Sequence, residues 1–157
     1  MTNTEKAVKP TGAIQVEMEI TIAASKETVW KAFIDDIGIW WHKDFYASKA
    51  PSKLVIEPRL GGMMYEDTGN GAGMTWFTIV GLVPGESIYA VGYARPPHGG
   101  PSTGLVVFSL EEKGENETVF KVSDSTHGVV SEKLAEEAGG GWTKLFTELK
   151  TFVEKNQ

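Results

Sequence analysis

Residues 141–155 constrain the fold more than any other stretch. Trp142, Leu145, Phe146, Leu149, Phe152 and Val153 recur at steps of three and four, the period of one buried helix face. Lys144, Thr147, Glu148, Lys150, Thr151 and Glu154 occupy the opposite side. Burying such side chains stabilises by roughly 1.5–3 kcal/mol each. Their sum rivals the roughly 5–15 kcal/mol that holds a whole domain folded. A helix of this kind needs a large apolar partner, and the rest of the chain must provide it.

The preceding sequence reads mostly as strands. In residues 14–22 Ile14, Val16, Met18, Ile20 and Ile22 alternate with Gln15, Glu17, Glu19 and Thr21, which predicts a half-buried strand. Ser25 is placed to cap a helix whose apolar face is Val29, Trp30, Phe33 and Ile34. Asp35 or Asp36 is placed to cap a second, short helix containing Ile37, Trp40 and Trp41. Strands are then predicted at 53–57, 63–66, 75–82, 87–93, 105–110 and 118–125. Turns at Pro58, Gly61-Gly62, Gly69-Asn70-Gly71, Pro84-Gly85 and 114–116, and a loop at 96–101, separate them. Short connections make neighbouring strands antiparallel. The result is α+β: a curved antiparallel sheet with one long helix laid across it. Residues 1–12 lack periodicity and read as a mobile N-terminal tail, leaving 13–157 as a single domain.

Composition narrows the function. A chain of 157 residues, 41% hydrophobic and 23% charged, can bury a sizeable core. Its net charge of −6 argues against nucleic acid or an anionic membrane as partner. The absence of cysteine excludes disulfides, thiolate metal sites and a cysteine nucleophile. No apolar run spans a bilayer, and the polar N-terminus has no signal-peptide core, so a cytoplasmic protein without membrane insertion is expected. His42, His98 and His127 lack metal-ligand spacing, so no metal site is expected.

Several motifs, taken in order, carry a family resemblance. They are Ile20-Thr21-Ile22-Ala23-Ala24-Ser25 running into Val29-Trp30-Lys31-Ala32-Phe33; Glu57-Pro58-Arg59-Leu60-Gly61-Gly62; the turn at 81–86 with Val83-Pro84; and Gly141-Trp142 opening a helix with Leu145 and Leu149. Together they resemble the START-like, or SRPBCC, superfamily. Within it they look most like bacterial relatives of the activator of the ninety-kilodalton heat-shock-protein ATPase, next to polyketide-cyclase-like members. The resemblance covers residues 14–154. It implies the helix-grip fold, in which a seven-stranded sheet wraps the C-terminal helix and leaves a cavity between them. No cofactor is expected. Members often carry a histidine near the end of the last strand; here Asp124 stands in that place, with His127 three residues on.

The candidate site follows from both lines. Trp40, Trp41, Phe45, Trp76, Tyr93, Phe108, Phe120, Gly141, Trp142 and Phe146 are the candidate ligand-binding residues, because an apolar pocket with a few polar groups is the usual small-molecule site. The competing reading makes most of these rings plain core. Adjacent residues do not share a helix face, so one of Trp40 and Trp41 is expected in the core and the other more exposed or at the cavity mouth. Leu134, Ala138 and Trp142 extend the C-terminal stripe backwards through Gly139-Gly140-Gly141. Three helical glycines cost roughly 2–3 kcal/mol relative to alanine. The preferred reading is one continuous helix from near Ser131; the alternative is a break at the glycines. Whether they also make room for a ligand stays open.

Asp124 shares the parity of Phe120 and Val122, so it points inward if they do, and a proton-moving role would follow. The preferred alternative leaves it at the strand end, facing solvent. Asp124 and His127 are weak catalytic candidates. Glu57 is a further polar candidate, and Arg59 is expected to pair with a surface acid. Gly69–Gly73 resembles a phosphate loop but precedes a strand, so the helix dipole that binds phosphate is missing. Three functions compete: a binder of a small hydrophobic or amphipathic molecule, a polyketide cyclase/dehydratase-type enzyme, and a chaperone-associated interaction domain. A chaperone or a second copy of the chain are the candidate protein partners.

Overall fold

The computed structural model describes residues 9–48, 50–94 and 100–157. Strand β1 (Gly12–Ile22) leads into helices α1 (Lys26–Asp35) and α2 (Ile37–Trp40). Six strands follow: β2 (Lys53–Ile56), β3 (Met63–Gly69), β4 (Ala72–Val83), β5 (Ser87–Ala94), β6 (Ser102–Gly114) and β7 (Glu117–Gly128). Helix α3 (Glu132–Lys155) closes the chain. The sheet has the order β1-β7-β6-β5-β4-β3-β2 and every pairing is antiparallel. Each expected element is present. Most strands run a few residues beyond the expected ends, since the ladders of β6 and β7 continue past their apolar runs. The N-terminal tail is shortened because Gly12 already pairs with Gly128; residues 1–8 lie outside the described residues. So does most of the loop expected at 96–101. Among the described residues no helix is long and apolar enough to cross a membrane.

Local chemistry explains the joints. Ser25 accepts from the Thr28 amide at 3.2 Å and so caps α1. Asp36 precedes α2, but its side chain makes no capping bond. It also ends α1, with its own amide on Ala32 O, and its backbone (φ −106°, ψ 11°) is not the extended form a capping residue needs. Asn70 and Gly71, both at positive φ (57° and 75°), form the two-residue turn between β3 and β4.

The core is tightest where α3 crosses the lower sheet. Phe120 meets Phe146 edge-on at 4.5 Å and Phe33 at 5.0 Å. Phe108 lies 5.1 Å from Phe33 and 5.5 Å from Trp142. Edge-to-face contacts of this kind stabilise by about 0.5–1.5 kcal/mol beyond area burial. Helix α3 runs without a break through Gly139, Gly140 and Gly141, which settles the choice between one helix and two. Ser131 caps it by accepting from the Leu134 amide at 3.1 Å.

Candidate functional site

Side-chain volume falls away at the other end of the same interface. On the inward face the register sets Gly92 opposite Gly104, Ala94 opposite Ser102, and Gly104 opposite Thr126. On the facing turns of α3 the small residues Ala138 and Gly141 are part of the wall. Small residues on both surfaces cannot meet across a sheet–helix gap that bulky ones hold open further down. The result is a half-open pocket of about 330 Å³. Trp41, Phe45, Trp76, Phe77 and Trp142 supply its aromatic walls; Ile14, Val16, Leu134 and Leu145 are aliphatic neighbours.

A β-bulge builds one of those walls. Met64 lies opposite Phe77 while Tyr65 lies opposite Thr75, so Trp76 is an extra residue without a partner. A bulge re-aims side chains. Here it lets Trp76 and Phe77, neighbours in sequence, both line the pocket, their rings 6.5 Å apart.

The polar groups gather on the β6–β7 side. Asp124 Oδ2 accepts from Trp142 Nε1 at 2.9 Å, and Oδ1 accepts from Thr126 Oγ1 at 3.2 Å. Such charge-assisted bonds stabilise by about 1.5–3 kcal/mol. Trp142 is thus oriented from the sheet while its ring separates core from pocket. Glu137 stands at the rim, with Lys133 3.7 Å away on exposed surface. Two further lining residues carry buried polar atoms without a hydrogen-bond partner, Trp41 Nε1 and Ser102 Oγ.

This geometry can be compared with known proteins. The family described as activator of Hsp90 ATPase homolog 1-like protein matches residues 23–154. The chain belongs to this family. It is a START-like (SRPBCC) protein with the helix-grip fold. A protein of Rhizobium leguminosarum is similar over 95% of this chain and 99% of its own, at 15% identity and a TM-score of 0.67. CalU16 from Micromonospora echinospora is similar over 93% and 83%, at 19% identity and 0.63. DynU16, a protein in the dynemicin biosynthetic locus, is similar over 91% of this chain but only 48% of its own, at 17% identity and 0.67. At such identities the likeness concerns the fold. Among proteins of curated function none matches the sequence.

In this activator-like chain the expected site residues divide. Trp41, Phe45, Trp76, Gly141 and Trp142 line the pocket, and Asp124 lines it with them. Phe108, Phe120 and Phe146 do not; they are 2% exposed or less and fill the core below it. Trp40 is also core, its Nε1 donating to Ala32 O at 3.0 Å. Trp40 and Trp41 are equally buried, at 4% each, so neither is the more exposed; of the two expected alternatives the structure has one ring in the core and the other, Trp41, at the cavity. Helix α2 ends at Trp40, and Trp41 is extended (φ −61°, ψ 119°), so both adjacent rings turn inward, 5.8 Å apart. Tyr93 is 64% exposed, because its parity on β5 is opposite to that of Gly92 and Ala94. It borders a neighbouring groove beyond Trp76, with Asp44 and Tyr46.

Asp124 faces inward, which overturns the preferred solvent-facing reading: Phe120 and Val122 are buried and the strand keeps their parity. His127 is on the opposite face, exposed, and away from the pocket. Glu57 accepts from the Met63 amide at 3.0 Å and stands 3.8 Å from Arg59 on the surface. His42 caps a 3₁₀ turn at Lys43–Phe45 through its Nδ1, and His98 lies outside the described residues. Among the described residues no cluster of side chains could hold a metal ion.

Glu66 was not singled out from the sequence, yet it is fully buried. Its carboxylate accepts from the amides of Ala47 and Ser48 at 2.8 Å each and from Trp76 Nε1 at 2.6 Å. It therefore ties the segment after Phe45 to the sheet and holds two pocket walls, Phe45 and Trp76, in place. Tyr46 beside it has its phenol pushed above the ordinary value, chiefly by burial and further by the Glu66 charge, against an opposing hydrogen bond with the Leu54 backbone. Alternation offered the signal: Glu66 shares the inward parity of Met64.

Proposed function

We propose that this family member binds a small apolar or amphipathic molecule between the small-residue end of the sheet and α3. The observation that carries the reading is the pocket of about 330 Å³ with aromatic walls and a few polar groups, three of them on β6 and β7. Small-molecule sites span roughly 300–1,000 Å³ and share that make-up. Trp41, Phe45, Trp76, Phe77 and Trp142 would enclose the apolar body. Asp124, Thr126 and Ser102 would meet its polar end.

The test is thermal unfolding against a panel of amphiphiles, flavonoids and aromatic polyketides. A ligand at a hundredfold excess over Kd stabilises by about 2.7 kcal/mol, which raises Tm by several degrees in a chain of this size. Phe45→Ala should remove the shift. A panel that moves neither Tm nor tryptophan fluorescence would sink the proposal.

The family's description favours a second reading, docking to a chaperone of the Hsp90 class. Tyr89, Tyr93 and Leu105 stand exposed on the outer face of β5 and β6, and exposed apolar groups of this kind can mark a partner surface. Stimulation of the chaperone's ATPase, lost on replacing Tyr89 and Leu105 by serine, decides it. A cyclase-type reaction would rest on Asp124 alone, since His127 is outside the pocket.

A further inference from the structure

We infer that the molecule held in this pocket is an organic cation: a protonated amine or quaternary ammonium on an apolar body. The inference rests on the binding proposal above and narrows it by charge.

Two features converge. Among the described residues the ionisable side chains lining the pocket are Asp124 and Glu137, both acids; no lysine, arginine or histidine joins them. Asp124 is half-buried, and its hydrogen bonds come from the neutral donors Trp142 Nε1 and Thr126 Oγ1. The nearby lysines pair with acids other than Asp124. Lys133 stands 3.7 Å from Glu137 on exposed surface, and Lys144 stands 3.5 Å from Asp44. A carboxylate drawn partly out of water without a counter-cation is costly, and an ammonium brought beside it offsets that cost. Ser102 Oγ, buried on the same side without a partner, is a free acceptor for an N–H.

The second feature is the aromatic wall. Ring faces carry negative charge density and attract a cation within about 6 Å. Trp41 and Trp76 meet at 67°, while Phe77 and Trp142 lie within 27° of parallel, so the rings present several orientations to one space. Phe45 already draws an ammonium, with Lys144 Nζ 5.6 Å from its centroid. A neutral ligand would use the rings and bring Asp124 no counter-charge. An anion would meet the Asp124 carboxylate, beside which no described lining residue sets a cation. The chain's net charge of −6 adds a long-range preference for cations.

Three probes sharing one benzyl body separate the possibilities: benzyltrimethylammonium, its neutral carbon isostere neopentylbenzene, and phenylmethanesulfonate. Binding is read by tryptophan fluorescence and calorimetry on the full chain. The cation should bind about tenfold or more tighter than the neutral probe, with the anion weakest. Asp124→Asn should reduce the cation's advantage over the neutral probe to about threefold or less. Glu137→Gln, at the exposed rim, should fold normally and show a smaller loss. The wild-type comparison stands whether or not Asp124→Asn folds. Equal binding of cation and neutral probe, or tighter binding of either other probe, overturns the charge assignment and leaves the binding role intact. Failure of all three to bind at millimolar concentration overturns both.

Discussion

Gly140 and Gly141 are neighbours on α3 with unlike surroundings. A methyl group on Gly140 would meet nothing within 4 Å, whereas one on Gly141 would sit 3.3 Å from Phe45 Cε1. Gly140→Ala should therefore collect the full helix-propensity gain, about 0.8–1 kcal/mol, and leave ligand binding unchanged. Gly141→Ala should gain less, because Phe45 must yield, and should weaken binding by displacing a pocket wall. Urea denaturation and a binding titration on both variants check this. The anomaly of three helical glycines was visible in the sequence. Which of them faced a neighbour was not, because Phe45 reaches α3 only through the fold. Glu66 shows the same limit: its parity was legible, but its amide donors lie 18 and 19 residues away.

Among the elements, α3 is fastened at its C-terminal end to the edge strand β1. Glu154 Oε1 accepts from the Ala23 amide at 2.9 Å, and Lys150 Nζ donates to Thr21 O at 2.6 Å and to Glu154 at 2.9 Å. Gln157 donates to Ala23 O as well. The Ala23 amide, then the hydrogen bond and charge of Lys150, hold the Glu154 carboxyl below its ordinary range against some desolvation. A carboxyl depressed on folding stabilises the native state above its unfolded pKa of about 4.3, and that contribution fades as pH falls through the folded value. Wild type should thus exceed Glu154→Gln in unfolding free energy at neutral pH, with the gap closing below about pH 4. Denaturation series across that range test it; a gap independent of pH would show the carboxyl's charge to be irrelevant. Alternation and helical period announced each of these elements in the sequence. The Trp76 bulge was not announced, because it is a mismatch between two strands and belongs to neither alone.

Over the whole molecule, one sheet–helix interface is solid at one end and hollow at the other. Phe120→Ala, at the solid end, should cost about 3–5 kcal/mol by leaving a cavity among Phe33, Phe108 and Phe146. Phe45→Ala, beside a space already open and at a residue only partly buried, should cost less than about 2 kcal/mol. Thermal and urea unfolding of the two variants give the contrast, and similar losses would mean that the pocket end is packed as tightly as the core. The sequence by itself determined the strands, the helices, the antiparallel pairing of strands joined by short turns and the α3 stripe, because these follow from periods and turn residues within a few positions of one another; the pairing of β1 with β7 joins distant segments and came from the fold. Only the tertiary structure decided that Asp124 turns inward, that Phe108, Phe120 and Phe146 fill the core while Trp41 and Phe45 border a space, and that Tyr93 faces out. The physical reason is that a pocket is a deficit of volume between two surfaces. Ala94 and Ser102 are unremarkable along the chain until strand register sets them side by side, on one pocket wall with Ala138 and Gly141 on another.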